Sequence, residues 1–141
     1  MSKFHTATEA KAYLFAGKAT ITIKSLASGN HYTYRINKSF DGHVFFVKVL
    51  CDSDQYVYVG ILRSKDEGNI TLTQKSTMTQ DTPAVKAFDY MLSHVQQNSI
   101  PNMLEIRHEG TCGRCGRQLT HPDSIDRGIG PECIKHVYTC S

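Results

Sequence analysis

The sequence predicts an α+β fold, an antiparallel sheet of about five strands with one packing helix, and three observations carry that expectation. Between residues 19 and 73, short runs of alternating polar and apolar residues are separated by turn dipeptides. From Pro83 to Val95 the apolar spacing lengthens to that of a helix. Beyond residue 111 the composition changes again, and four of the five cysteines lie there. The expected division is therefore a sheet-plus-helix domain over 1–102 and a cysteine-rich module over 103–141.

The elements follow in order. Thr8 to Phe15 reads as a short helix, with Thr6 or Thr8 as its cap and Ala10, Tyr13 and Leu14 on one face. Gly17 ends it. Strands are expected at Ala19–Leu26 (ATITIKSL), His31–Asn37 (HYTYRIN), Val44–Cys51 and Tyr56–Leu62 (YVYVGIL). Ser28-Gly29-Asn30, Asp41-Gly42 and Asp52–Gln55 supply the turns between them. Glu67-Gly68-Asn69 then leads into a fifth strand, Ile70–Thr73. Thr82 suits a helix N-cap and Pro83 the first helical position. Val85, Phe88, Met91 or Leu92, and Val95 make one apolar stripe, which packs that helix on the sheet. Met103–Arg107 is a candidate for one more strand.

Bulk properties narrow the function classes. Basic residues exceed acidic ones by 16 to 13, a net charge of +3 that does not by itself demand nucleic acid. No apolar run approaches the roughly 18–20 residues of a membrane span, and the N-terminal stretch has no apolar signal core. A soluble cytoplasmic protein is expected, with no membrane partner. Thiols in that compartment are reduced, so C-x-x-C with a further cysteine reads as a metal site before it reads as disulfides.

Cys112, Cys115 and Cys133 have zinc-ribbon or treble-clef spacing. Gly113 and Gly116 relieve the turn that brings two thiolates onto one cation. Gly128, Gly130 and Pro131 break the chain before Cys133, and Pro131 would place Cys133 in the first turn of a short helix, where thiolate is favoured. The fourth ligand is open between His136, three residues after Cys133, and His108, four before Cys112. Cys140 and His121 are weaker candidates. The expectation is a C-terminal treble-clef-like zinc module in which Zn2+ stabilises a stretch too short for its own core. Cys51, ending an apolar strand, reads as a core thiol. His5, His31, His43 and His94 read as surface or core histidines.

The stretch CGRCGRQLTHPDSIDRGIGPEC resembles a small cysteine-rich domain family of unknown function, with the pattern CGRCGRxLTxPxSIxxGIGPxC. That family occurs in short uncharacterised phage and bacterial proteins and as an appendage of helicase-like proteins. ATITIKSLASGNHYTYRI, FFVKVL, YVYVGILR, PAVKAFDYML and HEGTCGRCGR look like the companion region of its short phage-type members. The resemblance implies a phage-encoded protein acting in the host cytoplasm. It also favours His108 over His136, giving the ligand set His108, Cys112, Cys115 and Cys133. It carries no activity.

Catalysis is not expected. A zinc deaminase needs H-x-E followed by P-C-x-x-C, whereas His108 and Glu109 are adjacent and Cys112 follows Thr111. H-E-x-x-H, a Walker loop and G-x-G-x-x-G are all missing from the sequence. Binding is expected instead, with nucleic acid as the first ligand. Arg114, Arg117 and Arg127 in the cysteine module are candidates for phosphate contacts, as are Arg35 and Lys48 in the strands. Tyr32, Tyr34, Phe45, Phe46, Tyr56 and Tyr58, beside Lys24 and Lys38, are candidates for a stacking platform. The competing reading of the same residues is that the arginines pair with nearby acids and the rings fill the core. Phe45 and Phe46 must point to opposite faces of their strand. The alternative function is a protein-interaction module that modulates a host factor, and a third is capture of a small nucleotide ligand.

Overall fold

The computed structural model describes residues 2–51 and 55–108. Strand β1 (Ser2–Lys3) leads into helix α1 (Ala7–Leu14). The antiparallel strands β2 (Lys18–Ser25), β3 (His31–Lys38), β4 (Phe45–Leu50) and β5 (Tyr56–Leu62) follow as a meander. Helix α2 (Pro83–Gln96) and strand β6 (Leu104–His108) complete the described chain. The sheet is six-stranded, in the order β1-β6-β2-β3-β4-β5. Thus β6 returns from the far side of α2 to lie between β1 and β2, pairing Ile23 with Ile106 and Lys3 with Arg107. Among the described residues no helix is long and apolar enough to cross a membrane.

Local chemistry sets the element ends. The Thr6 hydroxyl caps α1 by accepting from the Glu9 N–H at 3.2 Å. Thr82 occupies the N-cap of α2 and Pro83 follows it, as expected. The Thr82 hydroxyl does not cap the helix, however; it accepts from the Thr79 N–H at 3.1 Å and tightens the preceding turn. Gly42, with φ of 78°, turns the chain between β3 and β4.

One face of the sheet carries the core. Ile21, Ile23, Tyr34, Ile36, Val47, Val49 and Ile106 are buried on it. Tyr13 and Leu14 from α1 belong to the same cluster, as do Val85, Phe88, Met91, Leu92 and Val95 from α2. Each large apolar side chain buried there contributes about 1.5–3 kcal/mol. The Tyr34 hydroxyl donates to the Ala84 carbonyl at 2.6 Å, which ties β3 to the first turn of α2. Both helices lie on this face, so the expected single packing helix is in fact a pair.

The expected fifth strand is a correction. Among the described residues Ile70–Thr73 makes only one bridge, Thr71 to Ile61. Side chains capture the flanking amides: Asp89 accepts from the Ile70 N–H at 2.8 Å and Ser76 from the Thr73 N–H at 2.9 Å. Ser76 also donates to the Val59 carbonyl at 2.6 Å, so the Thr73 N–H and the Val59 carbonyl that would form the next rung are both engaged elsewhere and the ladder stops. Cys51 is a second correction, because it is exposed. Strand β4 ends at Leu50, before the alternation could carry the thiol into the core.

Candidate nucleic-acid interface

Strand alternation places a second set of side chains on the face away from the helices. Along β3 and β4 that set includes Thr33, Arg35, Phe46 and Lys48, and the burial pattern follows it: Tyr34, Ile36, Val47 and Val49 are buried while Arg35, Phe46 and Lys48 are exposed. The pairing register extends the set. Arg35 lies opposite both Thr20 and Lys48, Lys48 opposite Tyr58, Leu50 opposite Tyr56, and Thr22 opposite both Thr33 and Arg107.

The basic residues of this face are Lys3, Lys18, Lys24, Arg35, Lys48 and Arg107. Glu105 is the single acid among its strand residues. The Arg107 guanidinium grips Glu105 through Nε at 2.8 Å and Nη2 at 2.7 Å. The Arg107 hydrogen bond, with Lys3 and Lys24 nearby, holds the Glu105 carboxyl below the usual carboxylate range. Among the described residues Arg35 and Lys48 make no such ion pair. The Arg35 guanidinium instead sits 4.0 Å from the centre of the Tyr56 ring. Beside it, Phe46 is 38% exposed, and its ring lies 6.5 Å from that of Tyr58, tilted by 58°. The Tyr58 hydroxyl is held by Thr73 at 2.9 Å. In mid-sheet Thr22 and Thr33 share a hydrogen bond at 2.8 Å, which locks β2 to β3 beneath the cations.

The expected binding residues therefore separate. Arg35 and Lys48 are cross-strand neighbours on the open face. Phe46, Tyr56 and Tyr58 join them, with Lys24 further across. Tyr34 and Phe45 are core residues, and Tyr32 and Lys38 share their side of the sheet, with the Lys38 amine 5.9 Å from the Phe45 ring. Lys3, Lys18 and Arg107 were not singled out from the sequence. Lys18 precedes the expected start of its strand at Ala19 and is placed by its pairing with Asn37; for Lys3 and Arg107 alternation becomes informative only once β6 is known to sit between β1 and β2.

Of the expected metal ligands, His108 is described. It ends β6 and is fully buried on the core face, with its ring 5.0 Å from Phe4 and 5.3 Å from Tyr13. Cys112, Cys115 and Cys133 lie outside the described residues, as do the other candidates His121, His136 and Cys140 and the arginines Arg114, Arg117 and Arg127. Among the described residues no group of three or more His, Cys, Asp or Glu side chains is placed to hold a metal ion.

A separate groove of about 400 Å3 opens where β2, β3 and β6 meet α2. Ile23, Tyr32, Lys86, Tyr90, Met103 and Leu104 line it. Tyr90 and Met103 there are more than half exposed.

No curated protein and no solved structure matches the chain. Residues 103–138, which begin just before β6 and run on through the cysteines, match a family of unknown function (DUF6011).

Proposed function

We propose that this is a non-catalytic, zinc-containing binding protein whose ligand is nucleic acid, held on the open face of the sheet. The observation that carries the reading is the cation surplus of that face, six named basic residues around the exposed Phe46 and the half-buried Tyr56 and Tyr58, with Glu105 the single acid among the described strand residues. Arg35 and Lys48 lie directly opposite each other without an acid between them. Like charges at that spacing are destabilising, and a polyanion would relieve them. Phosphates supply that charge at regular spacing, and the rings beside the cations offer surfaces for bases.

The zinc part of the proposal rests on the donor set. Three thiolates and an imidazole suit Zn2+ and are poor ligands for Ca2+ or Mg2+. His108 ends a sheet strand, so a metal held by His108, Cys112, Cys115 and Cys133 would anchor the cysteine module to the sheet. Binding of zinc supplies folding free energy of about 10 kcal/mol or more in small modules. Arg114, Arg117 and Arg127 are further candidates for phosphate contacts.

Fluorescence anisotropy with single- and double-stranded oligonucleotides at two salt concentrations tests the ligand. Binding at low salt that weakens as salt rises, and is lost in an Arg35→Glu, Lys48→Glu double variant, supports the reading. Absence of binding to every oligonucleotide at low salt rejects it. Atomic absorption on the purified chain tests the metal: about one zinc per chain is expected, lost in Cys112→Ser, Cys115→Ser and Cys133→Ser. Retention of zinc by His108→Ala together with its loss in His136→Ala would move the fourth ligand to His136.

The groove beside α2 favours the second reading, a protein-interaction module acting on a host factor, because its exposed Tyr90 and Met103 suit a protein surface better than a phosphate backbone. Binding of a protein through that groove would survive high salt and fail in Tyr90→Ala.

A further inference from the structure

Building on the nucleic-acid reading, we propose that the open face takes a single strand, with unpaired bases stacked on Phe46 and Tyr58 and phosphates met by Arg35, Lys48 and Lys24. The argument begins with which part of a nucleic acid a flat aromatic surface can touch. In a duplex the base faces are covered by their neighbours, and only base edges and backbone are presented. Rings standing on a sheet can stack only on bases that have left the duplex. Proteins that read duplexes place a helix or a β-ribbon in a groove. Here both described helices lie behind the sheet, in the core cluster.

The details of the face fit a strand. Phe46 and Tyr58, tilted by 58° at 6.5 Å, do not stack on each other, so their ring faces are not consumed by the pair. Tyr58 is fixed by its bond to Thr73, so its ring is positioned before any ligand arrives. Arg35 is held over Tyr56, and a guanidinium plane is itself a surface on which bases stack. Charge is divided across the face in the same sense. Glu105 lies on β6, two strands from Arg35, whereas β3, β4 and β5 carry the rings with Arg35 and Lys48 and no acid among their strand residues. The four strands β2 to β5, about 4.8 Å apart, give a platform about 14 Å wide between outer strand axes, enough for the two or three bases that a small sheet stacks.

The test uses the full chain and labelled probes of about 12 nucleotides, within the site sizes of single-strand binders. The probes are a pyrimidine DNA strand, the same sequence as RNA, its DNA duplex, and an abasic phosphodiester of equal length. At least one single strand should bind about tenfold or more tighter than the duplex and the abasic chain, and comparing the DNA and RNA probes shows whether the 2′-hydroxyl matters. Phe46→Ala should weaken single-strand binding by about 5- to 100-fold and leave the abasic probe unchanged. Lys48→Ala should weaken all probes, the abasic one included. With the three phosphate contacts of Arg35, Lys48 and Lys24, a fourfold rise in salt should weaken the single strand by about 20-fold. A duplex or an abasic chain bound as tightly as the single strand overturns this inference while the nucleic-acid reading stands. No binding to any probe at low salt removes both.

Discussion

Asp89 offers the most direct test of how the chain between β5 and α2 is held. Its carboxylate accepts from the Ile70 N–H at 2.8 Å, and Ile70 is fully buried. Asp89→Ala leaves a buried donor without its acceptor, at a cost of about 2 kcal/mol within the usual range of 1–3. For a domain of this size that corresponds to a melting temperature lower by about 6–8 °C. Asp89→Asn keeps an acceptor oxygen in place and should cost less than half as much. The carboxyl also carries a pH signature. Burial holds it above the usual carboxylate range, against the opposing pull of the Ile70 N–H. The folded state therefore binds this proton more tightly than the unfolded state does. Stability relative to Asp89→Asn should accordingly rise as pH falls through the folded value, and level off below the ordinary aspartate value. Thermal unfolding followed by circular dichroism between pH 7 and 3 reads both effects. Equal melting temperatures for the Ala and Asn variants at pH 7, or a relative stability that falls on acidification through that window, would show that Asp89 does not hold this segment.

Gly60→Ala should destabilise by about 1–3 kcal/mol, because a Cβ there would stand 2.5 Å from both Ile70 Cγ2 and the Thr71 carbonyl oxygen; an unchanged melting temperature would mean that the close approach of these segments is absent. Glu105→Gln removes the acid of the open face and frees Arg107, so oligonucleotide affinity at low salt should rise; a fall would place the ligand elsewhere. Thr6→Ala should cost about 1 kcal/mol through loss of the α1 cap, read in the same unfolding experiment.

Much of the sheet could be read along the chain because its cues are local. Strands β3 and β4 follow the alternation closely, β5 departs from it where the register shifts opposite Val47 and Lys48, and Ser28-Gly29-Asn30 and Asp41-Gly42 mark their turns within a residue or two of where they occur. The α2 stripe of Val85, Phe88, Met91, Leu92 and Val95 is buried as its spacing implies. Non-local pairing was harder. Met103–Arg107 was recognisable as strand-like, but nothing local says that Ile106 lies against Ile23. That one pairing brings Arg107 to the same face as Lys24 and sets His108 against Phe4 and Tyr13. Ile70–Thr73 misled for the opposite reason. Its alternation is that of a strand, yet Asp89 and Ser76, 19 and three residues away, take its amides.

The candidate site was half readable. Adjacent Phe45 and Phe46 had to face opposite ways, and they do, at 7% and 38% exposure. Which of the tyrosines stay at the surface depends on which face the helices cover. Tyr34 goes under α2, and Tyr56 and Tyr58 remain beside Arg35 and Lys48. No composition or spacing rule encodes that choice.

Ultraviolet crosslinking of the full chain to a 5-bromouridine strand, followed by peptide mass spectrometry, locates the bound bases directly. Adducts on Phe46, Tyr56 or Tyr58 are expected, competed away by unlabelled single strand and weakened by Lys48→Glu. Adducts confined to residues 109–141, or to the groove around Tyr90, would show that the open sheet face is not where the bases lie.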